Sequence, residues 1–368
     1  MSILISGSAG IDMGNLPVSN ASQVEVQDNQ VSPFGGFKNY IINGNFYIWQ
    51  RGTSQTTTAF GSDDRWGNFN VNSTKVHSMV ECTDTERALF NAQYFSRTVS
   101  TYVVGTSSFV MKSQTIENMT ILAGKKVTVS FWAKANSNKV MNVKVTDLYG
   151  SGGTPTVSGT NTTNLGNVNL TSSWQKYSLT ATLPSLVGKT LGTDGNHCFR
   201  LDFGFTFSPD RNEVVNFGMT AGQSGTFDIA QVQLEEGSIA TPFENRPYGL
   251  ELILCQRYLP LKIQAGYYGS YGSGYVAIGS TTYAIVTIPL ATTSRSLVSS
   301  LLTGGDFQLV SGNATFNVTS FAVDTNNTDL RVLSLSVTCS GGGLTGGNAC
   351  TLRSANSPDS YILLSNEV

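Results

Sequence analysis

The chain has 368 residues, enough for two or three domains of ordinary size. Charged residues make up 12% of it, about half the share usual in soluble domains, and the formal net charge is −2. No run of Lys or Arg provides the basic surface that nucleic-acid binding requires. The sequence also contains no run of ~20 apolar residues, the length needed to cross a membrane as a helix. Neither nucleic acid nor membrane insertion is therefore expected.

The cysteines bear on where the chain folds. No secretory signal is evident near the start, so folding in a cytoplasm is expected. The five cysteines are then predicted to be reduced and mostly buried. Cys339 and Cys350 flank a glycine-rich loop, and a disulfide formed there after release into oxidising surroundings is the alternative to two packed thiols.

Residues 1–37 form an irregular segment in which Gly, Pro, Asn and Asp interrupt scattered apolar residues. Such a segment buries little surface on its own, so it is expected to be ordered only against a partner. We interpret it as an anchor to another protein subunit, with a flexible tail as the alternative.

Residues 38–247 are predicted to form one β domain. Apolar and polar residues alternate in the segments 125–135, 174–184 and 198–207, as expected for strands with one face in the core of a sandwich. In FDIAQVQL (227–234) the apolar residues move from odd to even positions. This change predicts a β-bulge or a strand that is buried on both faces.

Residues 248–262 contain the one segment that is predicted to be helical. Leu250, Leu254 and Tyr258 lie four residues apart and give the helix an apolar stripe. Leu252 and Ile253 lie off this stripe, so the helix is expected to be covered on more than one side. Residues 263–368 alternate again between turn-rich clusters and are predicted to form a second, small β-sandwich.

No catalytic residue is predicted. The two histidines, His77 and His197, lack metal-binding spacing, and no nucleophile-elbow motif is present. The acidic pairs Asp63–Asp64 and Glu235–Glu236 consist of neighbours, which point to opposite faces of a strand and so could not act together. We therefore expect a protein that is not an enzyme.

One segment has the composition of a binding surface. GYYGSYGSGY (266–275) combines tyrosine with serine and glycine, as adaptable binding loops do. Tyr267, Tyr268 and Tyr271 could supply flat rings for the apolar faces of sugars. The alternative is a glycine-rich strand whose tyrosines pack in the core.

Two longer sequence segments resemble those of a known family. NYIINGNFYIWQRG (39–52) matches a pattern, N-x-x-I-N-G-x-F-x-x-W-Q-R-G, that opens many fibre and receptor-binding proteins of tailed bacteriophages. DDRW (63–66) resembles the A-D-R-W of that family, with Asp63 in place of alanine. VSFWAKA (129–135) and the segment 227–261 resemble strands and the short helix of its carbohydrate-binding-module-like jelly roll. The resemblance covers about two-thirds of the chain and is weaker in the C-terminal region.

This resemblance implies an all-β virion protein: a jelly-roll sandwich, a short linking helix and a second small β-sandwich after an extended leader. It implies a homotrimer with Leu252 and Ile253 at the subunit contact, and a leader that docks on other virion proteins. The expected ligand is a host-surface glycan, bound by the three tyrosines or near Trp66. No cofactor is expected, except that a structural calcium could be held by Asp228.

Such a protein would be made in the host cytoplasm and reside on the virion. Two alternatives remain. One is a capsid-decorating fibre or baseplate component without a receptor role. The other is a polysaccharide depolymerase, although such enzymes usually need a long parallel β-helix, and the sequence has no repeat from which to build one.

Overall fold

The computed structural model describes residues 37–159, 162–264, 266–297, 301–356 and 360–367. In these residues the chain forms twenty β-strands, three short helices and one 3₁₀ turn. The predicted all-β class is confirmed. Apart from Phe37, the predicted anchor lies outside the described residues. None of the described helices has the length and apolar character needed to span a membrane.

The first eleven strands build the jelly roll together with two of the helices. In chain order these elements are β1 Ser54–Gln55, β2 Gly67–Val71, β3 Thr74–Glu81, α1 Asp84–Phe90, β4 Tyr94–Thr101, β5 Phe109–Glu117, the 3₁₀ turn Met119–Ile121, β6 Lys126–Ala135, β7 Lys139–Leu148, β8 Thr163–Leu170, β9 Gln175–Thr182, β10 Cys198–Phe207, α2 Asn212–Val215 and β11 Gly225–Glu236. The first sheet has the order β1-β3-β4-β11-β6-β9, and the second has the order β2-β5-β10-β7-β8. All pairings are antiparallel.

The core lies between these two sheets, where the predicted alternation places it. Phe131 of β6 and Phe203 of β10 are fully buried, with ring centroids 5.1 Å apart. The rings of Phe205 and Phe227 also pack together, with centroids 5.0 Å apart. Because neighbouring residues of a strand point to opposite faces, the polar residues between these aromatics lie on the outer faces of the sheets.

The phase change in residues 227–234 is a β-bulge, as predicted. The pairing of β11 with β6 shifts register between Ala230 and Gln233, and Gln231 has a φ of +48°. On both sides of the bulge β11 is buried. The bulge also brings Val232 to the segment 39–52, where its N–H donates to the carbonyl of Gly44 at 2.8 Å.

The prediction of a single helix is wrong, because α1 and α2 also form. Thr83 and Glu86 close a capping box at the start of α1, and this local sequence signal is independent of apolar periodicity. The helix is too short to show that periodicity. Phe90 at its end packs edge-on against Trp174, with ring centroids 5.0 Å apart.

The linking helix is α3, Tyr248–Gln256, and its buried face differs from the predicted stripe. Glu251 and Cys255 are the buried residues of the helix, whereas Leu250 and Leu254 are only partly buried. Polar contacts set this buried face, because Glu251 accepts a hydrogen bond from the N–H of Asn43 and forms an ion pair with Arg246 at 3.4 Å.

The C-terminal strands form a barrel and a small sheet. They are β12 Leu261–Gln264, β13 Ser270–Val276, β14 Tyr283–Pro289, β15 Leu302–Gly304, β16 Phe307–Ser311, β17 Ala314–Val323, β18 Val332–Cys339, β19 Ala349–Ser354 and β20 Tyr361–Leu364. The expected small sandwich takes the form of a closed barrel, β13-β14-β18-β17-β16-β19, beside the sheet β12-β20-β15. All five cysteines of the chain are free and buried, Cys339 and Cys350 among them.

Ionic contacts join the barrel region to the jelly roll. Arg65 is only 1% exposed, pairs with Glu367 and donates to the carbonyl of Thr115 at 2.8 Å. Its guanidinium lies 3.4 Å from the ring centroid of Tyr258. Burial acts to lower the pKa of Arg65, but the charge of Glu367, its hydrogen bond and the neighbouring Tyr258 and Cys255 together outweigh it, and the net pKa is raised. Glu367, which follows β20, therefore links the barrel region to the jelly roll.

Candidate functional site

The motif at 39–52 builds the fold rather than a binding surface. The side-chain oxygen of Asn43 accepts the N–H groups of Tyr47 and Ile48 at 2.8 and 2.9 Å. Its amide nitrogen donates to the carbonyls of Ile48 and Asp64 at 2.8 and 3.0 Å. Asn43 has a φ of +55°, a conformation that asparagine tolerates better than most residues. Asn43 thus closes the turn within residues 39–52 and joins it to the DDRW segment at Asp64.

The prediction that Trp66 contacts a ligand is wrong. Its ring is fully buried, and its Nε1–H donates to the carbonyl of Asn43 at 3.0 Å. The neighbouring Asp63, which replaces the alanine of the family motif, is also buried and pairs with Lys112. Asn68 donates to the same carboxylate at 3.0 Å. Residues 63–66 therefore belong to the interior.

The three predicted tyrosines divide between surface and core. Tyr267 and Tyr268 are 63% and 50% exposed in the turn before β13, and Arg353 lies 4.9 Å from the ring centroid of Tyr268. Tyr271 is buried, with its ring 5.2 Å from that of Phe307, and the prediction that it stacks on a ligand is wrong. The alternation of β13 turns this residue inward.

The geometry at Asp228 argues against the predicted calcium. Both of its carboxylate oxygens accept hydrogen bonds from Arg97 at 2.8 Å, and Lys134 lies 3.8 Å away. A calcium ion would have to displace Arg97 and would be repelled by both cations. No group of three or more potential ligands from His, Cys, Asp and Glu is found in the described residues.

A groove that the sequence patterns do not predict lies on the outer face of the second sheet. We call it the sheet groove. Its floor comes from β7 and β10, where Lys144 lies opposite Asp202 and Thr146 lies opposite Arg200. The segment around α2 forms one wall. The volume of the groove is 560 Å³. It is lined by Lys144, Thr146, Gly159, Thr162, Arg200, Arg211, Asn212, Glu213, Asn216 and Phe217.

Ion pairs fix the side chains of the sheet groove. Arg200 donates to Asp202 through Nε and Nη2 at 2.7 and 3.2 Å. Lys144 pairs with Glu213, which also contacts Arg211 at 3.3 Å. α2 is thus tied to the sheet through a carboxylate that is itself only 1% exposed.

The two carboxylates of this network remain ionised. Burial acts to raise the pKa of Asp202, but the charge and hydrogen bonds of Arg200, together with Lys144 and Ser113, outweigh it, and the net pKa is lowered. Burial likewise acts to raise the pKa of Glu213, but the charge and hydrogen bond of Lys144, a backbone hydrogen bond and the charge of Arg211 together outweigh it, so its pKa is also lowered. Neither group is prepared to donate a proton near neutral pH.

The sequence held a weak signal for the sheet groove. In a chain with few charges, Arg200 and Asp202 occur between the aromatic residues of one strand. Charges on the outer face of a sheet are usually solvated, so this signal alone did not indicate a site. What makes the groove is the packing of α2 over that face, which strand periodicity does not reveal.

No protein-family model matches the chain, and no curated protein matches its sequence. Among solved structures, the enzymatically active domain of tailspike protein 4 from bacteriophage CBA120 is similar with a TM-score of 0.31 and 12% identity over 54% of this chain and 21% of the tailspike chain. The family 11 carbohydrate-binding module of cellulase Lic26A-Cel5E from Clostridium thermocellum is similar with a TM-score of 0.29 and 12% identity, over 51% of this chain and 96% of the module. The C-terminal family 22 carbohydrate-binding module of Xyn10B from the same bacterium is similar with a TM-score of 0.29 and 12% identity, over 52% of this chain and 98% of the module. This chain therefore spans about a fifth of the tailspike chain and nearly the whole of each module. Similarities at this level identify no family and assign no ligand to the chain.

Proposed function

We propose that this chain is a non-enzymatic attachment protein of a tailed-phage virion and that it binds saccharides of the host surface in the sheet groove. The groove itself is the observation that carries the proposal. The motifs at 39–52 and 227–261, which resemble those of phage fibre proteins, supply the virion context.

The shape and lining of the sheet groove suit a saccharide. Its 560 Å³ lie within the range of ligand sites, roughly 300–1,000 Å³. Asn212 and Asn216 are exposed along the wall, where the amide nitrogen of Asn216 donates to the amide oxygen of Asn212. The amide nitrogen of Asn212 and the amide oxygen of Asn216 still offer a donor and an acceptor to sugar hydroxyls. The partly exposed ring of Phe217 offers an apolar surface to the C–H face of a sugar.

The electrostatics of the groove favour binding over hydrolysis. A glycosidase needs one carboxylic acid whose pKa is raised, so that it can protonate the leaving oxygen. Here the pKa values of both Asp202 and Glu213 are lowered by their cationic neighbours, although burial opposes this. Both side chains also serve the packing of the groove through their ion pairs.

The test is retention of purified bacterial surface polysaccharides on an immobilised array. We expect the wild-type protein to bind at least one of them and Phe217→Ala to weaken that binding about tenfold, or about 1.4 kcal/mol. The double variant Tyr267→Ala, Tyr268→Ala is the matched control, because it removes exposed rings elsewhere on the surface. Thermal melting should be similar for all three proteins.

Other outcomes separate the alternatives. If the tyrosine variant loses binding and Phe217→Ala does not, the binding surface is the turn before β13. If no polysaccharide is retained, the protein has a structural role on the virion. Release of reducing ends from a retained polysaccharide would identify a depolymerase.

We further propose a homotrimer with the exposed side of α3 at the subunit contact. Ile253 is 49% exposed and Tyr248 is 51% exposed on this helix, while Leu252 is partly buried. Three copies would multiply a modest affinity per site through effective concentration, by ~10²–10⁴ when the geometry permits.

Light scattering should then give about three times 39.3 kDa. Ile253→Asp should reduce the mass to that of one chain, because an unpaired charge in a dry contact is costly. Val187→Asp, at a position that is 89% exposed in a loop, is the control and should remain trimeric. A wild-type protein that is monomeric and still binds polysaccharide would contradict the proposed assembly.

A further inference from the structure

We infer that the sheet groove selects acidic saccharides, whose carboxylate groups it binds through Arg200 and Arg211. This inference rests on the proposed function and names the class of ligand. It starts from the charges on the floor and wall of the groove.

Cations outnumber carboxylates in this network. Lys144, Arg200 and Arg211 face Asp202 and Glu213, so three positive charges meet two negative ones and the net charge is +1. The chain as a whole carries −2, so the groove has the opposite sign to the rest of the molecule. A net positive charge on the groove attracts ligands of the opposite sign.

The negatively charged side chains of the groove also lie deeper than the arginines. The side chains of Asp202 and Glu213 are 0% and 1% exposed, whereas those of Arg200 and Arg211 are 23% and 29% exposed. Thr146 donates to Asp202 at 2.6 Å, so this carboxylate is bonded from two sides within the protein. A ligand that enters the groove therefore meets guanidinium groups before it meets the carboxylates beneath them.

Both arginines keep donors for a ligand. Arg200 uses Nε and Nη2 on Asp202, and the described residues provide no hydrogen-bond partner for its Nη1. Arg211 contacts Glu213 at 3.3 and 3.5 Å, near the outer limit of a hydrogen bond, and its guanidinium lies 4.9 Å from the ring centroid of Phe109. Neither contact is a short hydrogen bond, so the guanidinium keeps donors for a ligand. A planar guanidinium pairs well with a planar carboxylate, which favours a uronic acid or a similar sugar acid.

The experiment uses the full-length protein and the bacterial polysaccharides that it retains on the array. Each polysaccharide is offered in its native form and in a form whose carboxylates have been chemically reduced to alcohols. We expect reduction to weaken binding by tenfold or more. We also expect Arg211→Gln to weaken binding of the native form by about tenfold and to leave binding of the reduced form unchanged.

Two control variants isolate the charge and the shape of Arg211. Arg211→Lys keeps the positive charge but loses the planar guanidinium that can bond both oxygens of a carboxylate. Its affinity for the native polysaccharide should lie between those of the wild type and Arg211→Gln. Arg87→Gln makes the same change of charge on α1, outside the groove lining, and should bind like the wild type. Melting curves confirm that all variants fold.

The outcomes separate this inference from the proposed function. Equal binding of native and reduced polysaccharides, or an Arg211→Gln variant that binds like the wild type, would overturn the selection of acidic sugars while leaving saccharide binding intact. Failure of the wild type to retain any polysaccharide would overturn both.

Discussion

Gly44→Ala is expected to destabilise the jelly roll by about 3 kcal/mol, because the position has no room for a side chain. A Cβ atom at Gly44 would lie 2.1 Å from the carbonyl oxygen of Val232. That contact is to backbone, which cannot rotate away as a flexible side chain could. Val232 also donates its N–H to the carbonyl of Gly44, so any separation of the two segments would break this bond.

Gly249→Ala provides the matched control. Gly249 lies in α3, and a Cβ atom there would have nothing within 4 Å. Because alanine favours a helix over glycine, this variant should gain about 0.5–1 kcal/mol. Urea unfolding of the two variants should therefore give changes of opposite sign. A Gly44→Ala protein as stable as the wild type would show that the segments 39–52 and 225–236 do not meet as described.

Glu367→Gln is expected to cost about 3 kcal/mol, since removal of one member of a buried ion pair leaves the other charge uncompensated. Glu367 is the carboxylate partner of both Arg65 and Arg51, and the Arg51 contact is 3.3 Å long. The side chains of the two arginines are 1% and 5% exposed, so water can replace little of the lost interaction.

The control for this variant is Glu236→Gln, whose partner Lys125 is 43% exposed. Surface pairs of this kind contribute little, so the change should stay within about 0.5 kcal/mol. Glu367→Gln should also make the link between jelly roll and barrel easier to cleave in limited proteolysis. Equal stability of the two variants would mean that the contact of Glu367 with Arg65 does not hold the two β regions together.

Strand periodicity in the sequence was a reliable guide to the fold. The alternation in residues 125–135 and 198–207 predicted strands whose apolar residues lie in the core, although both strands are buried on both faces along most of their length. The phase change at 227–234 predicted a bulge or a strand buried on both faces, and β11 has both features. These features are local, because the two faces of a strand follow from neighbouring residues alone. The capping box at Thr83 was equally local and could have predicted α1.

The candidate site could not be predicted in the same way, because burial there depends on residues far apart in the chain. Trp66 is buried where its Nε1–H donates to the carbonyl of Asn43, and Tyr271 is buried where its ring packs against Phe307. The sheet groove combines β7, β10 and the segment around α2, and Glu213 joins them through Lys144. No pattern within one strand contains that combination.

The most direct test of saccharide binding in the sheet groove is a crystal structure with the oligosaccharide repeat of the best-retained polysaccharide. We predict that the sugar lies over β7 and β10, with a ring against Phe217 and an acidic group at Arg200 or Arg211. Sugar bound at Tyr267 and Tyr268, with the groove empty, would contradict the account.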